Sequence, residues 1–167
     1  MRKMTQANLE AAFAGESQAH MRYLIFAEKA EEEGHANVAR LFRAISYAEQ
    51  VHATNHLRTL AMINDSAQNL QVAINGETYE VKDMYPAFME VSKLDEEKAA
   101  QVSFHYALEA EKIHAGMYQQ AKQAVEAGKD IEIGQIFICS VCGYTGEGEP
   151  PDQCPVCKAK KDKFKLF

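Results

Sequence analysis

Carboxylates recur in this chain where a helix should be apolar, and they recur twice at a nearly fixed offset. From about Met4 to Ala127, apolar or small residues return at alternating steps of four and three, the spacing of one buried helical stripe. The first helix carries Leu9, Phe13, Glu16, His20, Tyr23 and Ala27 on that stripe. The second carries Val38, Phe42, Ile45, Glu49, His52 and His56, and the last Ala100, Phe104, Ala107, Glu111, His114, Tyr118, Ala121 and Val125. Glu16 and Glu77 lie 61 positions apart; Glu49 and Glu111, and His52 and His114, lie 62 apart. Tyr23, Phe26 and Phe42 return as Tyr85, Phe88 and Phe104. The repeat predicts two related helix pairs, a four-helix bundle with pseudo-twofold symmetry.

Charged side chains belong on the solvent face of such helices. Buried carboxylates are rare unless paired or metal-bound, and several together repel until most take up protons. Two divalent cations would neutralise most of the charge on Glu16, Glu49, Glu77, Glu80 and Glu111. Glu49-x-x-His52 and Glu111-x-x-His114 each place two ligands on one helical face, about one turn apart. One Glu from each of two helices, joined to Glu-x-x-His from the other two, is a known way to build a two-metal site inside a bundle. Glu80 breaks the symmetry, because its counterpart in the first repeat falls near Ala19. It offers an extra carboxylate to one metal only, which suits a redox-dependent change of ligand.

The chain's 4 cysteines all lie near the end, as Cys139-x-x-Cys142 and Cys154-x-x-Cys157. Two such knuckles predict a tetrahedral all-sulfur cage for iron or zinc. Iron there would carry one electron. With no earlier cysteine there is no disulfide framework, and a reducing cytoplasm is the expected compartment. The N-terminus leads straight into the helical pattern without a signal-peptide core. No apolar run is long enough to span a membrane. Net charge is −6, from 24 acidic and 18 basic residues. Setting aside the five carboxylates above leaves a balanced surface with no basic stripe for nucleic acid.

Two domains are expected, a helical bundle over 1–134 and a metal-binding tail over 135–167. Gly34 should separate the first two helices and Gly128 should end the last. Residues 65–76 read as a long connection that turns helical late. Pro86 predicts a kink near Lys82 or Asp83, and Asp95 is the expected N-cap of the last helix. The tail, lacking Trp, should build its core on Phe137, Tyr144, Phe164 and Phe167. Lys158 follows Cys157 where such knuckles usually have Gly. If a left-handed backbone is needed there, Lys costs on the order of 1 kcal/mol.

Several runs together resemble the rubrerythrin family, a ferritin-like di-iron bundle followed by a rubredoxin-like domain. They are Ala14-Gly15-Glu16-Ser17-Gln18-Ala19, Gly76-Glu77-Thr78-Tyr79-Glu80, Met84-Tyr85-Pro86, Ala110-Glu111-x-x-His114, Cys139-x-x-Cys142-Gly143-Tyr144 and Cys154-Pro155-x-Cys157. The resemblance implies a mainly α fold, two non-haem irons in the bundle and one iron at the four cysteines, with zinc as a possible substitute. Glu49 and Glu111 would bridge the irons. Glu16 would be terminal on the first, Glu77 and His114 on the second. The first iron would move between Glu80 when oxidised and His52 when reduced. Tyr23 and Tyr85 would donate hydrogen bonds beside the site. The implied activity is reduction of hydrogen peroxide to water, NADH-linked through an electron donor such as rubredoxin or its reductase, in defence against oxidative stress. Homodimers or dimer-based oligomers are implied, with one subunit's tail near the other's di-iron site, and the long connection could permit helix swapping.

Other titratable residues have plainer readings. His20 and His56 lie one turn beyond Glu16 and His52 and read as supporting or core histidines. Glu32-x-x-His35 flanks Gly34 and reads as solvated loop. His105 reads as partly exposed, and Glu109 lies off the stripe. Two alternatives stand beside the peroxidase: an iron-storage bundle, and a catalytic bundle whose tail is a structural zinc ribbon.

Overall fold

The computed structural model describes residues 1–167, which divide into two compact units, Met1–Asn64 and Asp65–Phe167. The first unit is a helical hairpin of α1 (Lys3–Glu32) and α2 (Ala36–Thr59). Gly34 separates the helices as expected, and His35 N–H closes the end of α1 on Ala30 O at 2.8 Å. Contacts pair residues successively further from this turn, as in Glu31–Arg43, Phe26–Phe42 and His20–Ser46, so the helices run antiparallel. Small residues let the two backbones approach: Ala27, Ala39 and Ser46 are fully buried. The buried face passes through Ser46 rather than Ile45, which is 42% exposed. The expected stripe was therefore out of phase by one residue at that point.

The second unit opens with α3 (Ser66–Tyr79). The long connection expected over 65–76 is instead helical from Ser66. Asp65 caps it, its carboxylate accepting from Gln68 N–H at 2.8 Å, which satisfies one of the free donors of the first turn. A π-helical turn (Glu80–Met84) leads into α4 (Tyr85–Leu94). The expected kink thus takes the form of a widened turn just before Pro86, whose ring nitrogen has no hydrogen to continue an α-helical ladder. Asp95 does not cap the next helix. It ends α4, and Glu96 follows at φ 58°, with Glu97 N–H returning to Ser92 O at 2.9 Å. Helix α5 then runs Lys98–Glu126, and α3 and α4 both pack on it.

The sequence repeat has a counterpart in the packing. Tyr23 and Phe42 have ring centroids 6.0 Å apart, and Phe26 and Phe42 5.6 Å. Their equivalents Tyr85–Phe104 and Phe88–Phe104 stand at 6.1 and 5.7 Å. The one-residue shift in the repeat falls between Glu77 and Tyr85, the stretch that holds the π turn.

After Gly128 the chain reaches a small antiparallel sheet of β1 (Ile136–Cys139), β2 (Thr145–Glu147) and β3 (Phe164–Leu166), ordered β2-β1-β3. Phe137 is buried on β1, with Phe164 at 5.3 Å and Tyr144 at 6.2 Å. Its ring lies so close over Gly146 that a Cβ there would fall 2.4 Å from it. Phe167 lies outside this core: it is exposed, with the Lys165 ammonium 4.9 Å from its ring.

The two cysteine knuckles share one backbone pattern. Gly143 N–H bonds Cys139 O at 2.9 Å, and Lys158 N–H bonds Cys154 O at 3.0 Å. Both turning residues are left-handed, Gly143 at φ 79° and Lys158 at φ 64°. Lys158 therefore carries the strain that Gly avoids. Replacing Lys158→Gly should stabilise this knuckle by about 1 kcal/mol. Hydrogen exchange at Cys154 N–H, which bonds Ala159 O at 2.8 Å, should slow by about fivefold. An unchanged or faster rate would contradict a strained turn.

Candidate metal centres

Each unit gathers its own carboxylates and histidine. In the first, α1 supplies Glu16 and α2 supplies Glu49 and His52, one turn apart. In the second, α3 supplies Glu77 and α5 supplies Glu111 and His114. Within each trio, potential ligand atoms lie within 4.8 Å of one another. His52 Nδ1 stands 3.0 Å from Glu49 Oε2, and His114 Nδ1 2.6 Å from Glu111 Oε2. Glu49 and Glu111 side chains are only 16% and 18% exposed. Charged groups that water reaches this poorly need a counter-charge close by.

The second trio shows the strain of that need. Glu77 Oε2 is buried with no hydrogen-bond partner. Burial, a hydrogen bond to Glu111, and the charges of Glu111 and Glu80 push the Glu77 carboxyl up to about 8. Glu80, at the start of the π turn, is also raised, first by burial and then by Glu111, with His114 opposing. Tyr85 is raised by burial and by Glu80, Glu111 and Glu77, which places its phenol beside the same carboxylates. An orphaned buried oxygen among like charges, with an imidazole nitrogen at hand, is the donor set a divalent iron ion fits. Tyr23, the equivalent in the first unit, packs on Phe26 and Phe42.

The cysteines form the third centre. Cys139 Sγ lies 3.6 Å from Cys157 Sγ, and Cys142 Sγ 3.5 Å from Cys154 Sγ. All four are unpaired and gathered within 4.8 Å. Metal–sulfur bonds of about 2.3 Å in a tetrahedron require sulfurs roughly 3.8 Å apart, so small adjustments admit the ion. Burial pushes the Cys142 and Cys157 thiols up. Cys154 is also subject to burial, but the N–H groups of Cys157 and Val156 and the sulfurs of Cys142 and Cys157 outweigh it and lower its pKa. A bound cation would favour thiolate at all of them.

Two polar partners escaped the sequence reading. Ser46, three residues before Glu49, meets His20: its carbonyl and hydroxyl oxygens each lie 2.9 Å from His20 Nδ1. Ser46 stands one position off the stripe read from the sequence, beside Ile45, so only its packing against His20 reveals it. Thr145, on β2, meets His114 Nε2 at 2.8 Å, a pairing across 31 residues that no local pattern announces. The resemblance implied that a partner's tail approaches the di-iron site. Within the second unit, this chain's own tail already touches His114. His35 and His105 are exposed, and Glu109 pairs with Lys112, in keeping with their plain readings.

Carboxylate–histidine sets on helix pairs, together with a four-cysteine cage, define a non-haem iron protein of the ferritin-like class with a rubredoxin-like tail. The chain belongs to the rubrerythrin family. The Rubrerythrin family model matches residues 7–122, and the model of the rubrerythrin rubredoxin-like domain matches residues 137–165. Rubrerythrin-2 of Clostridium acetobutylicum is 48% identical, over 98% of this chain and 97% of its own. Nigerythrin of Nitratidesulfovibrio vulgaris is 34% identical, over 98% of this chain and 86% of its own. The solved structure of fully reduced, all-ferrous nigerythrin matches with a TM-score of 0.57, at 34% identity over 98% of this chain and 86% of that one. The fold is thus mainly α and ferritin-like, as expected, and iron is the cofactor these donor sets serve.

The raised Glu77 sets a pH dependence. Its folded value of about 8 exceeds the ordinary 4.5, so the metal-free protein gains a proton on folding. That stabilisation is complete below about 4.5 and is lost as pH rises through about 8. A cation binding there must expel the same proton. Affinity of the metal-free protein for a divalent ion should therefore climb between about pH 6 and about pH 8, by up to about tenfold per unit. Calorimetric titration should find that Glu77→Gln flattens the climb. A pH-independent affinity in the unaltered chain would refute this account of Glu77.

Proposed function

We propose that this chain is a non-haem di-iron peroxidase that reduces hydrogen peroxide to water, with electrons relayed through the iron at its four cysteines. The observation that carries the reading is the meeting of the two kinds of centre within one unit: His114, beside Glu111 and Glu77, bonds Thr145 of the cysteine-bearing sheet. A storage bundle has no use for an electron carrier held against its ligands. Family membership supports the same activity.

Glu16, Glu49 and His52 are the proposed donors for one iron, and Glu77, Glu111 and His114, with Glu80, for the other. Cys139, Cys142, Cys154 and Cys157 hold the third. Iron at the carboxylate sites supplies the Lewis acidity and the electrons for breaking the oxygen–oxygen bond. Peroxide also needs protons to leave as water. Tyr85, raised above its ordinary value, keeps its O–H at neutral pH and can donate it. Glu80, raised as well, takes up a proton more readily than an exposed carboxylate and can hand it on. Tyr23 occupies the equivalent place in the first repeat.

The domains are proposed as 1–134 for the bundle and 135–167 for the tail, in line with the two family matches. The electron source is proposed to be NADH, through rubredoxin or its reductase, and the role defence against oxidative stress. Four unpaired cysteines suit the reducing cytoplasm, and no helix is long and apolar enough to cross a membrane. Apolar side chains stand exposed on both helix pairs, among them Leu41, Ile25, Val72 and Val91. Surfaces of that kind support a homodimer or dimer-based oligomer, helix exchange included.

Rapid mixing tests the activity. The iron-loaded protein is reduced without air, given one equivalent of hydrogen peroxide, and followed by the visible ferric-thiolate band. Colour should return far faster than with dissolved oxygen. Absence of colour, or an equally fast return in Glu49→Ala/Glu111→Ala protein, would sink the proposal.

A further inference from the structure

The seam between α1 and α2 is built of small side chains, with Ala27, Ala39, Ser46 and Ala53 all buried. Such surfaces let two helices approach, but they offer few ridges to stop one sliding along the other. The serine supplies what the alanines lack. Its hydroxyl donates to His20 O at 2.9 Å. His20 Nδ1 lies 2.9 Å from Ser46 O and 2.9 Å from Ser46 Oγ. One residue of each helix is thus tied to the other through side chain and backbone alike.

The protons in this contact can be assigned. Ser46 has one hydroxyl hydrogen, and it goes to His20 O. The serine's carbonyl oxygen can only accept, so Nδ1 must donate, and the neutral ring keeps its lone pair on Nε2. Hydrogen bonds of this kind are lost by about 3.6 Å. Slippage by one residue would move a helix about 1.5 Å along its axis. The pair therefore resists a change of register that the alanines would allow.

That register is the one the first metal centre needs. Glu16 stands one turn before His20 on α1, and Glu49 three residues after Ser46 on α2. Because the helices run antiparallel, both steps lead the same way along the hairpin. There the ligand atoms of Glu16, Glu49 and His52 lie within 4.8 Å of one another. The Glu49 side chain is well covered, whereas that of His52 is open to solvent. The second repeat lacks the device: Leu108 holds the place of Ser46 and Val81 that of His20.

We propose that His20 and Ser46 form a register clamp, two positioning residues that hold Glu16 against Glu49 before a metal ion arrives. The proposal rests on the two-metal reading of the donor sets above and is independent of peroxide. Carboxylates set in place beforehand lose less freedom when the ion binds. The exposed His52 can then move while the two carboxylates stay together.

The test compares His20→Leu, which removes the ring's donor, with His20→Asn, which restores an N–H near the place of Nδ1 and removes Nε2. Full-length protein, 15N-labelled at histidine, is titrated with zinc chloride. The ring nitrogens of His52 and His114 report the first and second positions separately. In the parent, His20 should carry its hydrogen on Nδ1. Zinc at His52 should bind at least about fivefold more weakly in the leucine variant and recover in the asparagine variant, while binding at His114 is unaltered in all three. Ser46→Ala, which fits among the neighbouring alanines, should weaken zinc at His52 by about threefold or more, and it decides the matter if the leucine variant does not fold. A hydrogen on Nε2 overturns the assignment of the contact. Unchanged binding at His52 in the leucine and alanine variants overturns the clamp. Asparagine as weak as leucine overturns it too, since His20 would then act through Nε2. Zinc that never reaches His52 in the parent refutes the donor set of the first centre, and the clamp with it.

Discussion

Carboxylates crowded where water barely reaches them are the constraint on which this molecule turns. Beyond the effect of burial, Glu111 and Glu80 raise the cost of ionising Glu77, Glu111 raises that of Glu80, and Tyr85 feels all three. A protein selected only for stability would replace such a cluster with apolar side chains. Keeping it makes sense where cations supply the missing charge. The helices are arranged accordingly. Glu16 and Glu77 each come from one helix of a pair, and Glu49 and Glu111 on the other helix are each followed one turn later by an imidazole, so that hard oxygen and borderline nitrogen donors converge within each unit.

Around that cluster the chain uses one hairpin plan twice. A tyrosine and two phenylalanines pack with nearly the same centroid distances in each unit, and a Glu-x-x-His pair sits on the second long helix of each. The two versions are not equal in surroundings. His52 is largely open to solvent, whereas His114 is tied at both nitrogens. The tail accounts for the difference, since its β2 edge supplies the second tie. Two centres that look alike in sequence thus differ in how firmly their ligands are held, which suits one position that changes ligands and one that does not.

Periodicity made most of this legible. The stripe spacing, the doubled Glu-x-x-His and the paired knuckles identified the helices and the clusters now seen, because each depends on residues within a turn or two. Where longer-range packing decides, the reading slipped. Asp65–Gly76 looked like a connection because Gly76 and several polar residues diluted the pattern, but Asp65 caps a helix there. Asp95 looked like an N-cap, yet the left-handed Glu96 makes it the end of the preceding helix. Ile45 was assigned inward where Ser46 goes, since only contact with His20 selects between neighbours. Thr145 carried no local signal, and its importance comes from a fold that brings together residues 31 positions apart.

The π turn at Glu80–Met84 has a further meaning. From Glu16 to Tyr23 is seven residues, close to two α-helical turns; from Glu77 to Tyr85 is eight. In an unbroken α-helix the extra residue would swing Tyr85 by about 100° off its face. The widened turn absorbs it, so Tyr85 still meets Phe104 much as Tyr23 meets Phe42. An insertion that would ordinarily wreck a packed helix is confined to a single loop of backbone. The duplicated halves were thereby free to diverge in length as well as in side chains, and the new residue count appears beside the carboxylate that has no twin.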